Sequence, residues 1–105
     1  MAALSLDALR DEMRAESDLL IVQDLDGVCM PLVKDPLTRS LRADYVQAAA
    51  AMQHQFSVLT NGEHEGRRGV NRLVEKALGD DKKARREGLY LPGLAAGGVQ
   101  FQDRF

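Results

Sequence analysis

Two short apolar runs, each followed at once by polar residues, limit most strongly what this chain can fold into. The first covers residues 19–22 and leads into Gln23 and Asp24, and the second covers residues 56–59 and leads into Thr60. A continuous apolar run of this length is typical of a parallel strand with both faces covered. The sequence therefore predicts two buried strands whose last residues carry chemically reactive side chains.

Three segments with helical signals surround these runs. Ser5 can cap the first helix, Asp44 and Gln47 have capping-box spacing at the start of the second, and Gly79 can end the third. The helices are predicted at residues 5–16, from Asp44 to about residue 54, and at about 66–78. Between strand and helix, residues 27–43 have no clear period, which predicts an irregular loop with one helical turn and a hairpin.

The last part of the chain predicts two more extended segments. Residues 89–91 read as a short strand, and residues 94–101 read as a strand or a hairpin that turns on Gly97 and Gly98. Strands that alternate with helices predict an α/β fold, here a partial doubly wound parallel sheet.

Composition excludes several classes of protein. The 105 residues are 45% hydrophobic and 29% charged, with a formal net charge of −2, which is typical of a globular domain and disfavours a nucleic-acid or membrane partner. The single cysteine, Cys29, rules out an internal disulfide. The first seven residues lack the basic and apolar regions of a secretory signal. We therefore expect one cytoplasmic domain.

The two strand ends carry residues suited to phosphoryl transfer. Ligands bind at the carboxyl ends of strands in open α/β sheets, so Asp24, Asp26 and Thr60 should lie near one another. Asp24 is placed to attack phosphorus, and Asp26 can protonate the leaving group and then deprotonate water. Thr60 offers a hydroxyl, and the amides of Asn61 and Gly62 can bind phosphate oxygens near a helix N-terminus.

A carboxylate that attacks an anionic ester needs a cation beside it. Mg²⁺ suits this role because it prefers carboxylate, carbonyl, water and phosphate oxygens. We also expect four side chains near the site as candidate substrate contacts. They are Lys34, Arg39, Glu63 and His64.

The motif pair resembles the haloacid dehalogenase superfamily. Residues 24–28, Asp24-Leu25-Asp26-Gly27-Val28, match its first motif, and residues 56–60 match its second. The resemblance implies a Rossmann-like core, Asp24 as nucleophile and Asp26 as acid and base. It also implies Mg²⁺ held by the Asp24 carboxylate and the Asp26 main-chain carbonyl, with Thr60 holding the phosphoryl group.

Two longer stretches, residues 19–39 and 89–100, are similar to the glucosylglycerol-phosphate phosphatase family. That resemblance implies hydrolysis of 2-O-glucosylglycerol 3-phosphate during compatible-solute synthesis under salt stress. It covers only the N-terminal portion of the family. The superfamily's later lysine and acidic pair have no credible match, and we expect Asp80 and Asp81 to lie on the surface. The sequence thus predicts a single partial core domain, 1–105, with a cap domain absent or only begun.

Two other hypotheses stay open. The chain can be a non-enzymatic module that binds a phospholigand or a partner, which the missing motifs favour. A receiver-like phosphoacceptor domain fits poorly, because its phosphorylated Asp should end a different strand from its acid pair. Here Asp24 and Asp26 both follow the first strand.

Overall fold

The computed structural model describes residues 5–105. Residues 1–4, which form part of the segment that disfavours a secretory signal, lie outside the described residues. The helices are α1 (Leu6–Ala15), α2 (Ala43–Ala51), α3 (Val70–Leu78) and α4 (Lys83–Glu87). The strands are β1 (Ile21–Gln23), β2 (Phe56–Leu59), β3 (Gly93–Ala95) and β4 (Gln100–Gln102). Short 3₁₀ turns occur at Pro36–Thr38, Gln53–Gln55 and Ala96–Gly98.

The four strands form one sheet in the order β1-β2-β3-β4. β1 pairs with β2, and β2 with β3, in parallel, whereas β3 and β4 form an antiparallel hairpin. The α/β class is therefore confirmed, and the hairpin falls on the predicted glycine pair. The strands are adjacent in chain order, and within residues 5–105 no strand pairs with the free side of β1. The doubly wound arrangement stays a prediction.

One face of the sheet packs against the helices. Phe56 and Val58 point from β2 into a core shared with Val46 of α2 and with Val70 and Val74 of α3. α3 lies between α2 and α4. On the opposite face, apolar side chains at alternate and register-paired positions remain exposed. These are Val22, Leu59, Leu94 and Phe101.

The strand predicted at residues 56–59 agrees with β2. The strands predicted at residues 19–22 and 89–91 differ from the structure. β1 begins at Ile21 instead of residue 19. Residues 89–91 are wrong as a strand: they are buried without pairing, and β3 begins at Gly93. Gly93 has φ of 140°, and a Cβ there would lie 2.0 Å from the Val58 carbonyl oxygen. This close approach, which only glycine allows, sets where β3 joins β2.

The predicted helices are present with changed starts. Ser5 caps α1 by accepting a hydrogen bond from the Ala8 amide at 3.1 Å, as predicted. The capping box of α2 is wrong, since the helix begins at Ala43, its N-cap is Arg42 and no side chain caps it. α3 begins at Val70, not residue 66, and α4 was not predicted. No helix within residues 5–105 has the length and apolar content needed to cross a bilayer.

The segment between β1 and α2 is irregular, as predicted. The expected helical turn is present at Pro36–Thr38. The expected hairpin is not formed among the described residues of this segment. A single bridge between Asp26 and Met30 closes the turn after β1 instead.

Candidate functional site

A tight turn presents the acidic motif at the carboxyl end of β1. Leu25 is fully buried, and its carbonyl accepts hydrogen bonds from the amides of Val28, Cys29 and Met30 at 3.2, 2.9 and 3.1 Å. Gly27 has φ of 78°, a left-handed conformation that few other residues adopt without strain. The buried leucine thus anchors the turn between an exposed acid, Asp24, and a half-buried one, Asp26.

Asp24 lies directly beyond β1, beside the end of β2. Gln23 pairs with Val58, and Thr60 comes two residues after Val58. The two strand ends therefore meet, as the parallel arrangement predicts. The Asp24 side chain is exposed, and its Oδ1 accepts a hydrogen bond from the Leu25 amide at 2.9 Å. Its carboxylate is open to an incoming ligand.

Asp26 forms an ion pair with a buried arginine. Arg39 Nη1 donates to Oδ1 and Oδ2 of Asp26, both at 3.1 Å. The same guanidinium donates through Nη2 to the main-chain carbonyl of Arg68. The Arg39 side chain is 8% exposed and that of Asp26 is 32% exposed. Arg39 was predicted as a substrate contact, and the structure places it against the second acid.

The residues after β2 form the other wall of the site. Thr60 is buried, and its Oγ1 accepts a hydrogen bond from the Gly62 amide at 3.2 Å. Asn61 is exposed. The prediction that this segment lies at a helix N-terminus is wrong, because α3 begins only at Val70. The loop between Asn61 and α3 turns at Gly66, whose φ is 89°, so α3 begins further along the chain.

Two adjoining cavities lie beside this wall and share Glu63 and Arg68. The smaller, about 230 Å³, is lined by Arg39, Asn61, Gly62, Glu63 and Arg68. The larger, about 500 Å³, is lined by Asp35, Leu37, Glu63, Arg67 and Arg68. Glu63 thus lies where a candidate substrate contact should. The mixture of cations and acids fits a polar ligand better than an apolar one.

His64 and Lys34 do not join this site. His64 is buried, and its Nε2 lies 2.9 Å from the Gly93 carbonyl oxygen, so its ring packs against β3; it does not line either of the two cavities described above. Burial lowers the pKa of His64, an effect partly offset by the Gly93 carbonyl. The structure gives no support to His64 as a substrate contact. Lys34 is exposed in the loop before the 3₁₀ turn.

Cys29, Tyr45 and Gln23 form a small hydrogen-bonded cluster next to the turn. Cys29 Sγ donates to the Asp24 carbonyl at 3.3 Å and lies 3.3 Å from the Tyr45 hydroxyl, which donates to Gln23 Oε1 at 2.6 Å. Burial raises the pKa of the Cys29 thiol, the Tyr45 hydrogen bond lowers it, and the charge of Asp24 raises it further. Burial likewise raises the pKa of Tyr45. Both groups stay protonated and act as donors near neutral pH.

The turn after β1 offers two oxygen donors to a hard cation. Within the described residues no group of three His, Cys, Asp or Glu side chains gathers to hold a metal. The Asp24 carboxylate and the Asp26 main-chain carbonyl are oxygen donors on adjacent parts of the turn. Mg²⁺ commonly uses one or two protein carboxylates together with water and substrate phosphate, so these two donors fit it.

The pairing of Arg39 with Asp26 was missed by the sequence reasoning. The two residues are thirteen positions apart, and Arg68 is a further twenty-nine from Arg39. No periodicity links the three, and the chain has several other arginines nearby. Only the fold of the loop identifies which arginine meets the acid.

The sheet and its strand ends define the class of protein: it is an α/β protein with two acids and a hydroxyl at the carboxyl edge of parallel strands. The model of the glucosylglycerol-phosphate phosphatase family matches residues 18–105, and the chain belongs to that family. A curated relative, glucosylglycerol-phosphate phosphatase of Synechocystis sp., is 66% identical over 87 residues. The match covers 83% of this chain and 21% of the relative, so the chain spans about a fifth of that protein's length. No solved structure matches the chain.

Proposed function

We propose that this chain carries the nucleophile motif of a Mg²⁺-dependent phosphatase whose substrate is 2-O-glucosylglycerol 3-phosphate. The observation that carries the proposal is the exposed Asp24 carboxylate at the end of β1, beside Thr60 at the end of β2. Membership of the glucosylglycerol-phosphate phosphatase family supports the substrate. The reaction yields glucosylglycerol, a compatible solute, in the cytoplasm.

The reaction proceeds in two steps on the residues of the turn. An Asp24 carboxylate oxygen attacks phosphorus, the ester P–O bond breaks, and the departing alkoxide takes a proton from Asp26, which enters this step in its protonated form. The resulting aspartyl phosphate is then hydrolysed: Asp26 removes a proton from water, the water oxygen bonds to phosphorus, and the acyl phosphate P–O bond breaks. Asp24 is regenerated and inorganic phosphate leaves.

The wall after β2 binds the phosphoryl group. The Thr60 hydroxyl accepts from the Gly62 amide, so its own proton is free to bond to a phosphate oxygen. The exposed Asn61 supplies amide donors at the mouth of the smaller cavity. Mg²⁺, held by the Asp24 carboxylate and the Asp26 carbonyl, would reduce the repulsion between the attacking carboxylate and the phosphate charge. Glu63, which lines both cavities, would bind hydroxyl groups of the substrate.

Residues 1–105 represent, on this proposal, one partial haloacid-dehalogenase-like core domain. Other parts of the full natural polypeptide then supply the remaining cation and acids of the site. The short chain alone is expected to turn over substrate slowly or not at all.

The test compares Asp24→Asn with Asp44→Asn in the full natural polypeptide. Asp44 is a matched control because it is an exposed aspartate paired with Arg42 at the start of α2, away from the site. With Mg²⁺ and glucosylglycerol phosphate, Asp24→Asn should lower kcat by about 10³-fold or more, as expected when a covalent nucleophile is lost. Asp44→Asn should retain wild-type rates. Full activity of Asp24→Asn would show that another residue attacks phosphorus.

A non-enzymatic phospholigand-binding module is the second candidate. It is motivated by the later lysine and acidic pair of the superfamily, for which residues 1–105 offer no credible match. Mg²⁺-dependent binding of inorganic phosphate without turnover by the full natural polypeptide would support it. Multiple turnover would exclude it.

A further inference from the structure

Arg39 lies inside the protein although its charge calls for water or a partner. Its side chain is 8% exposed, and its Nε is buried with no hydrogen-bond partner among the described residues. Both terminal nitrogens are engaged: Nη1 bonds to the two Asp26 carboxylate oxygens at 3.1 Å, and Nη2 bonds to the Arg68 carbonyl. The guanidinium therefore ties the turn after β1 to the loop between β2 and α3.

The backbone that carries Arg39 is itself fixed. Asp35 initiates the 3₁₀ turn: its Oδ1 accepts from the Leu37 amide at 3.0 Å, and its carbonyl accepts from the Thr38 amide at 2.9 Å. Leu41, two residues beyond Arg39, is buried in the core. Arg39 is thus held between a closed turn and a core anchor, which fixes the position of its backbone relative to Asp26.

Because Gly62 has no side chain, the Arg39 guanidinium can lie close to the backbone at this position. A Cβ at position 62 would lie 3.3 Å from Arg39 Nη1 and 3.6 Å from Thr60 Oγ1. The guanidinium and the threonine hydroxyl therefore flank the same point of the loop. This places the Asp26–Arg39 pair directly beside the residues that bind phosphate in the proposed function.

We propose that Arg39, although it lines the smaller cavity, acts as a positioning residue for Asp26, because its terminal nitrogens are engaged by the Asp26 carboxylate and the Arg68 carbonyl. Arg39 Nη1 lies 3.1 Å from both carboxylate oxygens, so one charge-assisted contact holds the Asp26 carboxylate in place. A carboxylate has about four acceptor positions, so Asp26 can be held by Arg39 and still exchange a proton with the ester oxygen and with water. This inference rests on the proposed function, because it assigns Asp26 the proton transfers of that reaction.

The experiment measures Arg39→Ala, Arg39→Lys and Arg42→Ala in the full natural polypeptide. Arg42 is the matched control, since it also pairs with an aspartate, Asp44, but its side chain is 82% exposed. The readouts are kcat and KM for glucosylglycerol phosphate with Mg²⁺, and the Kd of inorganic phosphate by calorimetry. The Kd reports on phosphate binding without turnover.

If Arg39 positions Asp26, its replacement should lower kcat and leave phosphate binding nearly unchanged. Proton transfer by a placed side chain is worth about 10²- to 10⁴-fold, so Arg39→Ala should lower kcat by about 10- to 100-fold. KM and the phosphate Kd should change by less than about threefold. Arg39→Lys keeps the buried cation but lacks the planar fork; its kcat should fall between those of Arg39→Ala and wild type. If Arg39→Ala does not fold, Arg39→Lys carries the test, and Arg42→Ala should match wild type.

Two results would overturn the inference alone. A phosphate Kd raised tenfold or more with kcat unchanged would make Arg39 a phosphate ligand, and unchanged kinetics in both Arg39 variants would give it no role. In both cases wild-type turnover and its loss in Asp24→Asn persist. Absence of wild-type turnover is a different outcome, which overturns the proposed function and the positioning role together.

Discussion

Replacing Asp26 with asparagine should destabilise the fold because it leaves the Arg39 guanidinium buried without an opposite charge. Breaking a fully buried ion pair by removing one partner costs about 3–5 kcal/mol. Here the Asp26 side chain is 32% exposed, and water screens the pair from that side. We therefore expect Asp26→Asn to lower the free energy of unfolding by about 2 kcal/mol.

The assay is equilibrium urea unfolding of the 105-residue chain, with Asp24→Asn as the matched control. Asp24 lies two residues from Asp26 but is exposed. Its Oδ1 accepts a hydrogen bond from the adjacent Leu25 amide at 2.9 Å. Its replacement should change the free energy of unfolding by less than about 0.5 kcal/mol. The denaturant dependence, or m value, should stay constant across the variants, which checks that the transition keeps its character.

A double variant sharpens the test. Adding Arg39→Leu to Asp26→Asn removes the orphaned charge, and replacing both partners of a buried pair is often close to neutral. The double variant should therefore regain at least about 1 kcal/mol over Asp26→Asn alone. Equal losses in Asp24→Asn and Asp26→Asn, or no recovery in the double variant, would refute the reasoning that the buried arginine depends on Asp26.

Three further predictions concern the core, the sheet and the response to pH. Leu91→Ala should cost about 2–5 kcal/mol in urea unfolding because Leu91 is 1% exposed, whereas Leu94→Ala, on the open face, should cost less than about 1 kcal/mol; equal losses would contradict the assigned faces. Gly93→Ala should abolish cooperative thermal unfolding because its Cβ would overlap the Val58 carbonyl, and a wild-type melting curve would contradict the β2–β3 register. Because the pKa of His64 is lowered in the folded state, the unfolded chain binds a proton there more readily than the folded chain as the pH falls through about 6.5, so the free energy of unfolding should fall as the pH is lowered through that range. His64→Gln should flatten that dependence, and an unchanged slope would contradict it.

Local signals in the sequence were sufficient for several elements. The apolar run at Phe56–Leu59 predicts β2 with its observed bounds, and Ser5 predicts the cap of α1. The end of α3 at Gly79 follows from its left-handed conformation, with φ of 69°. In each case the deciding interactions lie within a few residues of one another.

Long-range packing decided the elements that the sequence missed. Residues 89–91 are apolar because they fill the core below the sheet, and hydrophobicity alone cannot separate a buried coil from a strand. The start of β3 depends on the close contact of Gly93 with Val58, thirty-five residues earlier. Asp44 has capping-box spacing, yet it bonds to Arg42 at 3.0 and 2.6 Å instead of capping α2.

The residues of the candidate site also divide into those that the local sequence predicts and those that long-range contacts place. Asp24 and Thr60 were predicted because each directly follows a strand, and Asp26 because it lies two residues after Asp24; parallel strands bring such ends together. The placement of Arg39 and His64 could not be predicted, since each is fixed by a partner from a distant segment: Asp26 for the arginine and the Gly93 carbonyl for the histidine.

The central claim is that Asp24 forms a covalent bond to phosphorus, and trapping that bond tests it most directly. The full natural polypeptide is mixed with glucosylglycerol phosphate and Mg²⁺, quenched in acid within a turnover, reduced with borohydride and digested for mass spectrometry. Reduction converts an aspartyl phosphate to homoserine, so the account predicts homoserine at position 24 and none in Asp24→Asn. Homoserine at another aspartate, or complete turnover with Asp24 never modified, would contradict it.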